Sequence, residues 1–147
     1  MKRVIPPFLF VLCILLMIGL NFLSPTPKLL KPPINYFGIL LLLLGLVMTA
    51  KVRKLFDDVD TEIHTFKKPK KLVTDGLFKI SRNPIYLGFS ISLIGVWMLL
   101  GNQTSIIGIF LFILISNFWY IPHEENRMEK EFGIDYKKYK SKVRRWI

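Results

Sequence analysis

Four long runs of apolar residues dominate this sequence and limit the folds open to it. They occupy residues 5–23, 36–50, 85–100 and 105–121, and each has about 15 to 19 residues, close to the length that crosses a bilayer as a helix. Apolar residues make up 52% of the chain and the mean hydropathy is +0.41, which is too apolar for a soluble domain. We therefore predict an all-α, polytopic membrane protein with about four transmembrane helices, folded as a single domain over residues 1–147.

The basic residues predict how these helices are oriented. Of the 21 Lys and Arg residues, 19 lie in the amino end, in the second loop (51–83) and in the tail (122–147). Because cytoplasmic loops carry the excess of positive charge, we place both termini and the second loop in the cytoplasm. All ten acidic residues lie in that loop and that tail, so the formal charge of +11 indicates an anionic inner leaflet as partner and no nucleic acid.

The first apolar run has an alternative interpretation as a cleaved signal peptide, because Lys2 and Arg3 precede it. No small-x-small cleavage site follows the run, so we keep it as a transmembrane helix. Cys13 is the single cysteine and lies inside this run, so no disulfide and no cysteine metal site is expected.

The second loop contains an acidic and a basic cluster. The acidic cluster invites a metal interpretation, but it lacks a glycine turn and a second set of ligands, so we favour a solvated helical extension and predict no metal site. The basic cluster is typical of a contact with the lipid surface. The acidic cluster comprises Asp57, Asp58, Asp60, Glu62 and His64, and the basic one Lys67, Lys68, Lys70 and Lys71.

A two-part polar site flanks the third and fourth apolar runs. Arg82-Asn83-Pro84 precedes the third run and Glu124-Glu125 follows the fourth, with the short turn Gly101-Asn102-Gln103 between the runs. Asn83 is 19 residues before Asn102 and Glu124 is 22 after it. At about 1.5 Å per helical residue, the two ends of this hairpin return to nearly the same height at the cytoplasmic side.

Taken singly, most residues of this site also have ordinary structural explanations. Asn83 is a favoured N-cap and Pro84 a favoured first helical residue, so they mark a helix start. Arg82 and Tyr86 suit anchors at the membrane interface, and Gly88 suits a packing contact. The adjacent carboxylates have no such explanation, because ionisable groups beside the hydrocarbon indicate a functional site.

The end of the fourth run and the tail also carry structural predictions. Pro122 is expected to kink or end the fourth helix. After Gly133, apolar residues recur every three or four positions among basic ones, which predicts an amphipathic helix on the inner leaflet or a lid folded over the hairpin. These apolar residues are Tyr136, Tyr139, Val143 and Trp146.

Several segments together resemble the isoprenylcysteine carboxyl methyltransferase and phospholipid methyltransferase family of integral membrane enzymes. They are residues 72–78, Arg82-Asn83-Pro84-Ile85-Tyr86-Leu87-Gly88, Glu124-Glu125 and residues 132–139. The resemblance covers roughly residues 61–145, and the first two helices match only as apolar spans. Asn83 stands where the family commonly has histidine.

The resemblance implies methyl transfer from S-adenosylmethionine, with the cofactor pocket on the cytoplasmic side. Arg82 and Glu125 are the implied catalytic residues, Arg82 as the holder of a carboxylate. Trp119 is a further candidate to face adenine or the sulfonium, together with two tyrosines. The implied acceptor is a hydrophobic, lipid-like or prenylated molecule, most favourably a carboxylate. The implied cofactor-binding residues are Asn83, Pro84, Tyr86, Gly88, Tyr120, His123, Glu124 and Glu125.

Two other functions stay open at this point. Membrane sterol and steroid reductases that use NADPH show a similar turn near their carboxyl end, although they are usually longer. A small helical scaffold, in which Arg82-Asn83-Pro84 is only a helix start, is the non-enzymatic alternative. An oligomer is compatible with a thin four-helix bundle, but no motif demands it.

Overall fold

The computed structural model describes residues 5–23, 26–58 and 71–147, and its regular structure there is helical throughout. The all-α prediction is therefore confirmed for the described residues. The α-helices are α1 (Pro6–Leu23), α2 (Phe37–Asp58), α3 (Pro84–Leu100), α4 (Ile106–Ile115) and α5 (Ile121–Lys142). A π-helical turn, Ser116–Tyr120, joins α4 to α5 without a break.

The first four helices follow the four apolar runs, and α2 extends beyond its run to Asp58. By length and composition, α1 and the helical stretch Ile106–Lys142 can each cross a membrane, and α3 is a shorter apolar helix. The number of spans and the sidedness of the termini stay predictions. Asp57 and Asp58 are exposed at the end of α2 and Lys71 is exposed beyond it. The rest of the two loop clusters lies outside the described residues, namely Asp60, Glu62, His64, Lys67, Lys68 and Lys70.

Glycines let α2 and α3 pack in direct backbone contact. A Cβ atom added to Gly88 would lie 2.8 Å from the carbonyl oxygen of Gly45, and one added to Gly95 would lie 2.5 Å from the carbonyl oxygen of Gly38. The Ser92 hydroxyl crosses the same interface and donates to the carbonyl oxygen of Leu42 at 3.2 Å. Small residues are needed here because any side chain would push the two backbones apart.

An aromatic core joins α1, α3 and α4. Phe10 stacks on Phe89 with ring centroids 4.6 Å apart, and Phe112 meets Phe89 edge to face at 6.0 Å. Cys13, predicted to form no disulfide, is fully buried beside them as a free thiol. This core holds the α3–α4 hairpin against α1.

The predicted turn between α3 and α4 is confirmed. Gly101 ends α3 in the left-handed conformation (φ 71°), a geometry that glycine adopts without strain. The Trp97 indole donates to the carbonyl oxygen of Asn102 at 2.9 Å, and the Leu29 amide donates to the carbonyl oxygen of Gly101 at 2.7 Å. The turn is thus tied to α3 and to the preceding link.

The fourth helix does not end at Pro122, so that part of the expectation is wrong, and a kink at this residue stays a prediction. The π-helical turn Ser116–Tyr120 comes just before it, and Pro122 lies in the first turn of α5. A π-turn changes the backbone hydrogen-bond register, so α5 starts anew after it. Proline is therefore tolerated at Pro122, because the first turn of a helix does not need its missing N–H.

The tail differs from the predicted amphipathic helix in two respects. Gly133 interrupts the helix with φ 49° and ψ −116°, and the helix ends at Lys142, so Val143 is extended and Trp146 lies beyond it. The tyrosine side chains before the end of α5 are buried against other side chains of the protein, in a second core. This second core consists of Val52, Val73, Phe78, Tyr136 and Tyr139.

Candidate functional site

The start of α3 presents the first half of the site. Pro84 is its first residue, as predicted, and Asn83 precedes it. The Asn83 side chain does not cap the helix, so that part of the prediction is wrong. Its amide instead donates to the carbonyl oxygen of Arg145 at 3.0 Å, while its backbone N–H donates to the Ser81 hydroxyl at 3.1 Å. The Asn83 side chain therefore makes a hydrogen bond to the tail in place of a capping hydrogen bond to the start of α3.

Glu125 is the centre of the site. Its side chain is only 6% exposed, and both of its oxygens are bound by guanidinium groups. Arg82 Nη2 lies 3.1 Å from Oε1. Arg145 forks over the same carboxylate, with Nε 3.2 Å from Oε1 and Nη2 2.7 Å from Oε2. Such bidentate, charge-assisted contacts are among the strongest hydrogen bonds in proteins.

A second pair joins α3 to α5 beside this carboxylate. The Tyr86 hydroxyl donates to Glu124 Oε1 at 2.8 Å, and Tyr86 itself is buried. The buried ring of Tyr120 lies 6.3 Å from that of Tyr86, at an interplanar angle of 30°. The structure therefore gathers six of the proposed site residues at one end of the hairpin, namely Arg82, Asn83, Tyr86, Tyr120, Glu124 and Glu125.

The π-helical turn contributes a residue that the sequence analysis missed. Asn117 Oδ1 accepts from Arg145 Nη1 at 3.3 Å and from the Trp146 indole at 3.2 Å. π-turns are frequent at functional sites because they change the direction in which side chains point. No pattern in the sequence announced this turn.

The tail closes over both halves of the site. The Arg82 backbone N–H donates to the carbonyl oxygen of Arg144 at 3.0 Å, and the buried Ser81 hydroxyl donates to that of Arg145 at 3.3 Å. Ser81 and Arg145 were also missed by the sequence analysis, which assigned Arg145 to a basic helix face. The available signal was the pair of adjacent carboxylates Glu124 and Glu125, which need cationic partners, in a tail that also carries Arg144 and Arg145.

The ionisation of this region follows from its contacts. Hydrogen bonding to the Glu125 carboxylate raises the pKa of Arg145, so its charge is secure. The hydrogen bond from Lys140 lowers the pKa of Glu129. Burial raises the pKa of Tyr139 to about 12 and the pKa of Tyr136 further still, so both phenols are neutral near pH 7.

The charges around Glu125 leave room for another anion. Lys140 lies 3.9 Å from Glu125 but pairs more closely with Glu129, at 2.7 Å. Glu125 therefore faces two guanidiniums, those of Arg82 and Arg145. Arg82 is 9% exposed, and its Nε is buried without a hydrogen-bond partner among the described residues. A buried donor of this kind suits an incoming carboxylate.

Several proposed site residues lie apart from this cluster. Gly88 faces α2, against Gly45 and Thr49, which gives it the packing role. His123 is exposed and lies 3.5 Å from the Arg127 guanidinium. Trp119 is 69% exposed, so it does not contribute an aromatic face to the buried cluster. Pro84, by contrast, directly follows Asn83 of the cluster and is buried at the helix start.

A family comparison gives this geometry a context. The model of the family described as phospholipid methyltransferase matches residues 34–135, well over half of the chain. The match includes both Arg82 and Glu125 and ends before Lys140, Arg144 and Arg145, the tail residues that contact them. No solved structure matches the chain significantly.

Individual relatives agree with the family match. A probable protein-S-isoprenylcysteine O-methyltransferase of Oryza sativa subsp. japonica is 30% identical over 75% of this chain and 59% of its own length. The protein-S-isoprenylcysteine O-methyltransferase of Schizosaccharomyces pombe is 40% identical over 52% of this chain and 32% of its own length. An uncharacterized protein of Haemophilus influenzae is 40% identical over 43% of this chain and its entire length. The chain thus spans well under two thirds of the two methyltransferases.

Proposed function

Because the chain belongs to the phospholipid methyltransferase family, we propose that it transfers a methyl group from S-adenosylmethionine to a lipid-like or prenylated acceptor at the membrane. One observation carries the proposal. Arg82 and Glu125, separated by 43 residues in sequence, meet at 3.1 Å in a buried site beside the Tyr86–Glu124 pair. A helix start used only as a scaffold does not require this arrangement.

The donor's polar groups match the residues of the site. Its ammonium group and its ribose hydroxyls donate hydrogen bonds, and the carboxylates of Glu124 and Glu125 accept them. Its carboxylate is an anion, which suits the buried guanidinium of Arg82 and its unpartnered Nε. Asn83 and Pro84 shape the backbone beside that guanidinium.

Aromatic surface suits the rest of the donor. The rings of Tyr86 and Tyr120 lie 6.3 Å apart, beside the Tyr86–Glu124 hydrogen bond. The sulfonium cation over such a ring gains about 0.5–2 kcal/mol, with the larger value where water is excluded. Trp119 is left out of this assignment because it is exposed, and Gly88 because it packs on α2.

The proposed acceptor is a carboxylate on a prenylated or lipid-like molecule. When bound, the donor supplies a methyl group already activated by its positive sulfur. An ionised carboxylate attacks without losing a proton, so this chain needs no base for that acceptor. Its task is to align acceptor and donor, and such positioning is worth about 7–11 kcal/mol. An amine or thiol acceptor requires a base, for which exposed His123 and Glu124 are the candidates.

The membrane setting fits this chemistry. We place the site on the cytoplasmic side, because the loop before α3 and the tail after α5 carry most of the basic residues. A hydrophobic acceptor then enters sideways from the lipid while the water-soluble donor enters from the cytoplasm. The exposed tail residues Lys137, Lys138 and Lys142 suit contact with anionic headgroups.

Equilibrium binding tests the proposal. The detergent-purified full chain is titrated with S-adenosylmethionine, S-adenosylhomocysteine and NADPH, beside Glu125→Gln, Glu124→Gln and the control Glu131→Gln, an exposed position on the same helix. We expect micromolar binding of both sulfur compounds, retained in the control and lost in Glu125→Gln. No binding of either compound by the wild type would overturn the proposal, and binding of NADPH would indicate a reductase. Unchanged binding in both site variants would remove the carboxylates from the site.

A further inference from the structure

We propose that Arg145 is a positioning residue for this reaction, which orients the Glu125 carboxylate and fastens the two halves of the site together. This inference rests on the proposed function and deepens it. The family match ends at residue 135, so it assigns no role to Arg145.

The first argument is the geometry of the guanidinium. Its Nε and Nη2 bind different oxygens of Glu125, at 3.2 and 2.7 Å, and its Nη1 binds Asn117 at 3.3 Å. Two parallel bonds determine both the position and the rotation of a carboxylate, and the third bond fixes the guanidinium itself. A lysine ammonium has no such planar fork.

The second argument is that the backbone of the same residue binds the other half of the site. The carbonyl oxygen of Arg145 accepts from Asn83 Nδ2 at 3.0 Å and from the Ser81 hydroxyl at 3.3 Å. The side chain of Arg145 thus contacts the π-turn and α5, while its backbone contacts the segment before α3. Arg145 itself lies 62 positions after Asn83 in sequence, so one residue of the tail connects both halves of the site.

The third argument is that Arg145 is peripheral to the core that holds the helices together. Its side chain is 34% exposed, and it follows the end of α5. The helices are held by the aromatic core of Phe10, Phe89 and Phe112 and by the second core. The polar contacts of Arg145 are with site residues, so its loss is expected to affect the site more than the fold.

Without Arg145, the Glu125 carboxylate retains Arg82 at 3.1 Å and Lys140 at 3.9 Å. Neither contact is bidentate, so the carboxylate is free to rotate, and the Asn117 amide oxygen keeps only its hydrogen bond from the Trp146 indole. Binding groups that lose their orientation lose affinity and turnover even when they remain in place.

The test compares Arg145→Gln and Arg145→Lys with Arg144→Gln, a matched control one residue away whose side chain is exposed. Each full-length protein, purified in detergent, is titrated with S-adenosylmethionine, and its thermal midpoint is measured in parallel. We expect Arg145→Gln to weaken binding by about tenfold to a hundredfold. Arg145→Lys should recover part of that loss, and all three variants should unfold within a few degrees of the wild type.

The outcomes separate this inference from the proposed function. If the wild type binds the donor and Arg145→Gln binds it as tightly as Arg144→Gln, the positioning role is wrong and the proposed function stands. Tighter binding by Arg145→Gln would overturn the inference in the opposite sense, because the tail would then block the site. If Arg145→Gln does not fold, Arg145→Lys tests the inference instead. Unchanged affinity of Arg145→Lys for S-adenosylmethionine would show that a bidentate guanidinium is not required. If the wild type does not bind the donor, both fail.

Discussion

The Tyr86 hydroxyl donates a 2.8 Å hydrogen bond to Glu124 Oε1, joining the first turn of α3 to the first turn of α5 across 38 residues. Next to it, Glu125 engages Arg82 and Arg145. Adjacent carboxylates therefore have different environments. Glu124 accepts from the Tyr86 phenol, whereas Glu125 is flanked by two guanidinium groups.

The Tyr86–Glu124 contact is testable by a double-mutant cycle. Tyr86→Phe and Glu124→Gln each remove one partner, and a hydrogen bond to a charged group contributes about 1.5–3 kcal/mol. We expect a coupling free energy of that order in chemical unfolding of the detergent-solubilised protein. Tyr36→Phe, at an exposed position away from the site, should leave the free energy of unfolding unchanged. Strict additivity of the two site variants would show that this contact contributes nothing.

The close approach of α2 and α3 predicts that replacing a glycine by alanine lowers stability strongly at this interface and little elsewhere. A Cβ on Gly45 would lie 2.7 Å from the Ser92 backbone nitrogen, with no flexible side chain able to move aside for the backbone contacts. Gly45→Ala should lower the free energy of unfolding by about 1–3 kcal/mol. Gly19→Ala is the matched control, because a Cβ there meets nothing within 4 Å. Equal effects at the two glycines would contradict the packing.

Tyr139 gives a prediction for alkaline pH. Burial raises its pKa from 10.0 to about 12, and its hydroxyl donates to the carbonyl oxygen of Phe78 at 2.7 Å. Because the folded pKa is the higher one, the stability this group contributes is complete below pH 10 and is lost as the pH rises through about 12. Tyr139→Phe should lose about 1–3 kcal/mol at neutral pH and show a smaller decline above pH 10. Urea unfolding between pH 8 and 11 measures both, and an unchanged decline would contradict the assignment.

Adjacent aromatic residues at the end of the fourth run should behave differently in donor binding. Tyr120 is buried beside Tyr86, whereas Trp119 is 69% exposed. Tyr120→Leu should weaken binding of S-adenosylmethionine by about two- to thirtyfold, as expected for losing one aromatic contact to a cation. Trp119→Leu should bind like the wild type in the same titration. A larger effect at Trp119 would move the donor to the outer side of the helix.

The proposed orientation is accessible to labelling in a Cys13→Ser background. Gln103, in the exposed α3–α4 turn, and Lys138, on the exposed side of α5, are each replaced by cysteine. A membrane-impermeant maleimide should label Gln103→Cys in intact cells and Lys138→Cys only after permeabilisation. Labelling of both positions from the same side would exclude the four-span topology.

Counting along the chain sufficed to predict which helices form and which of their ends meet. Apolar run length predicted α1 to α4, Pro84 marked the start of α3, and Gly101 marked its end. The rise per residue is nearly constant in a helix, so Arg82 and Glu125 were expected at the same height. The position of a residue along the helix axis depends only on how many residues separate it from the turn. That part of the site was therefore predictable from the sequence.

The direction in which each side chain points depended on tertiary structure. Each residue turns the helix by about 100°, so a single π-turn at 116–120 redirects everything after it, and Asn117 and Tyr120 turn inward while Trp119 turns out. Gly88 faces α2 because two backbones approach there, a property of the pair of helices and not of either sequence. Arg145 reaches Glu125 because the helix ends at Lys142 and the chain bends after it, and no local periodicity continues past a helix end. These features depend on contacts between distant segments, which only the folded chain brings together.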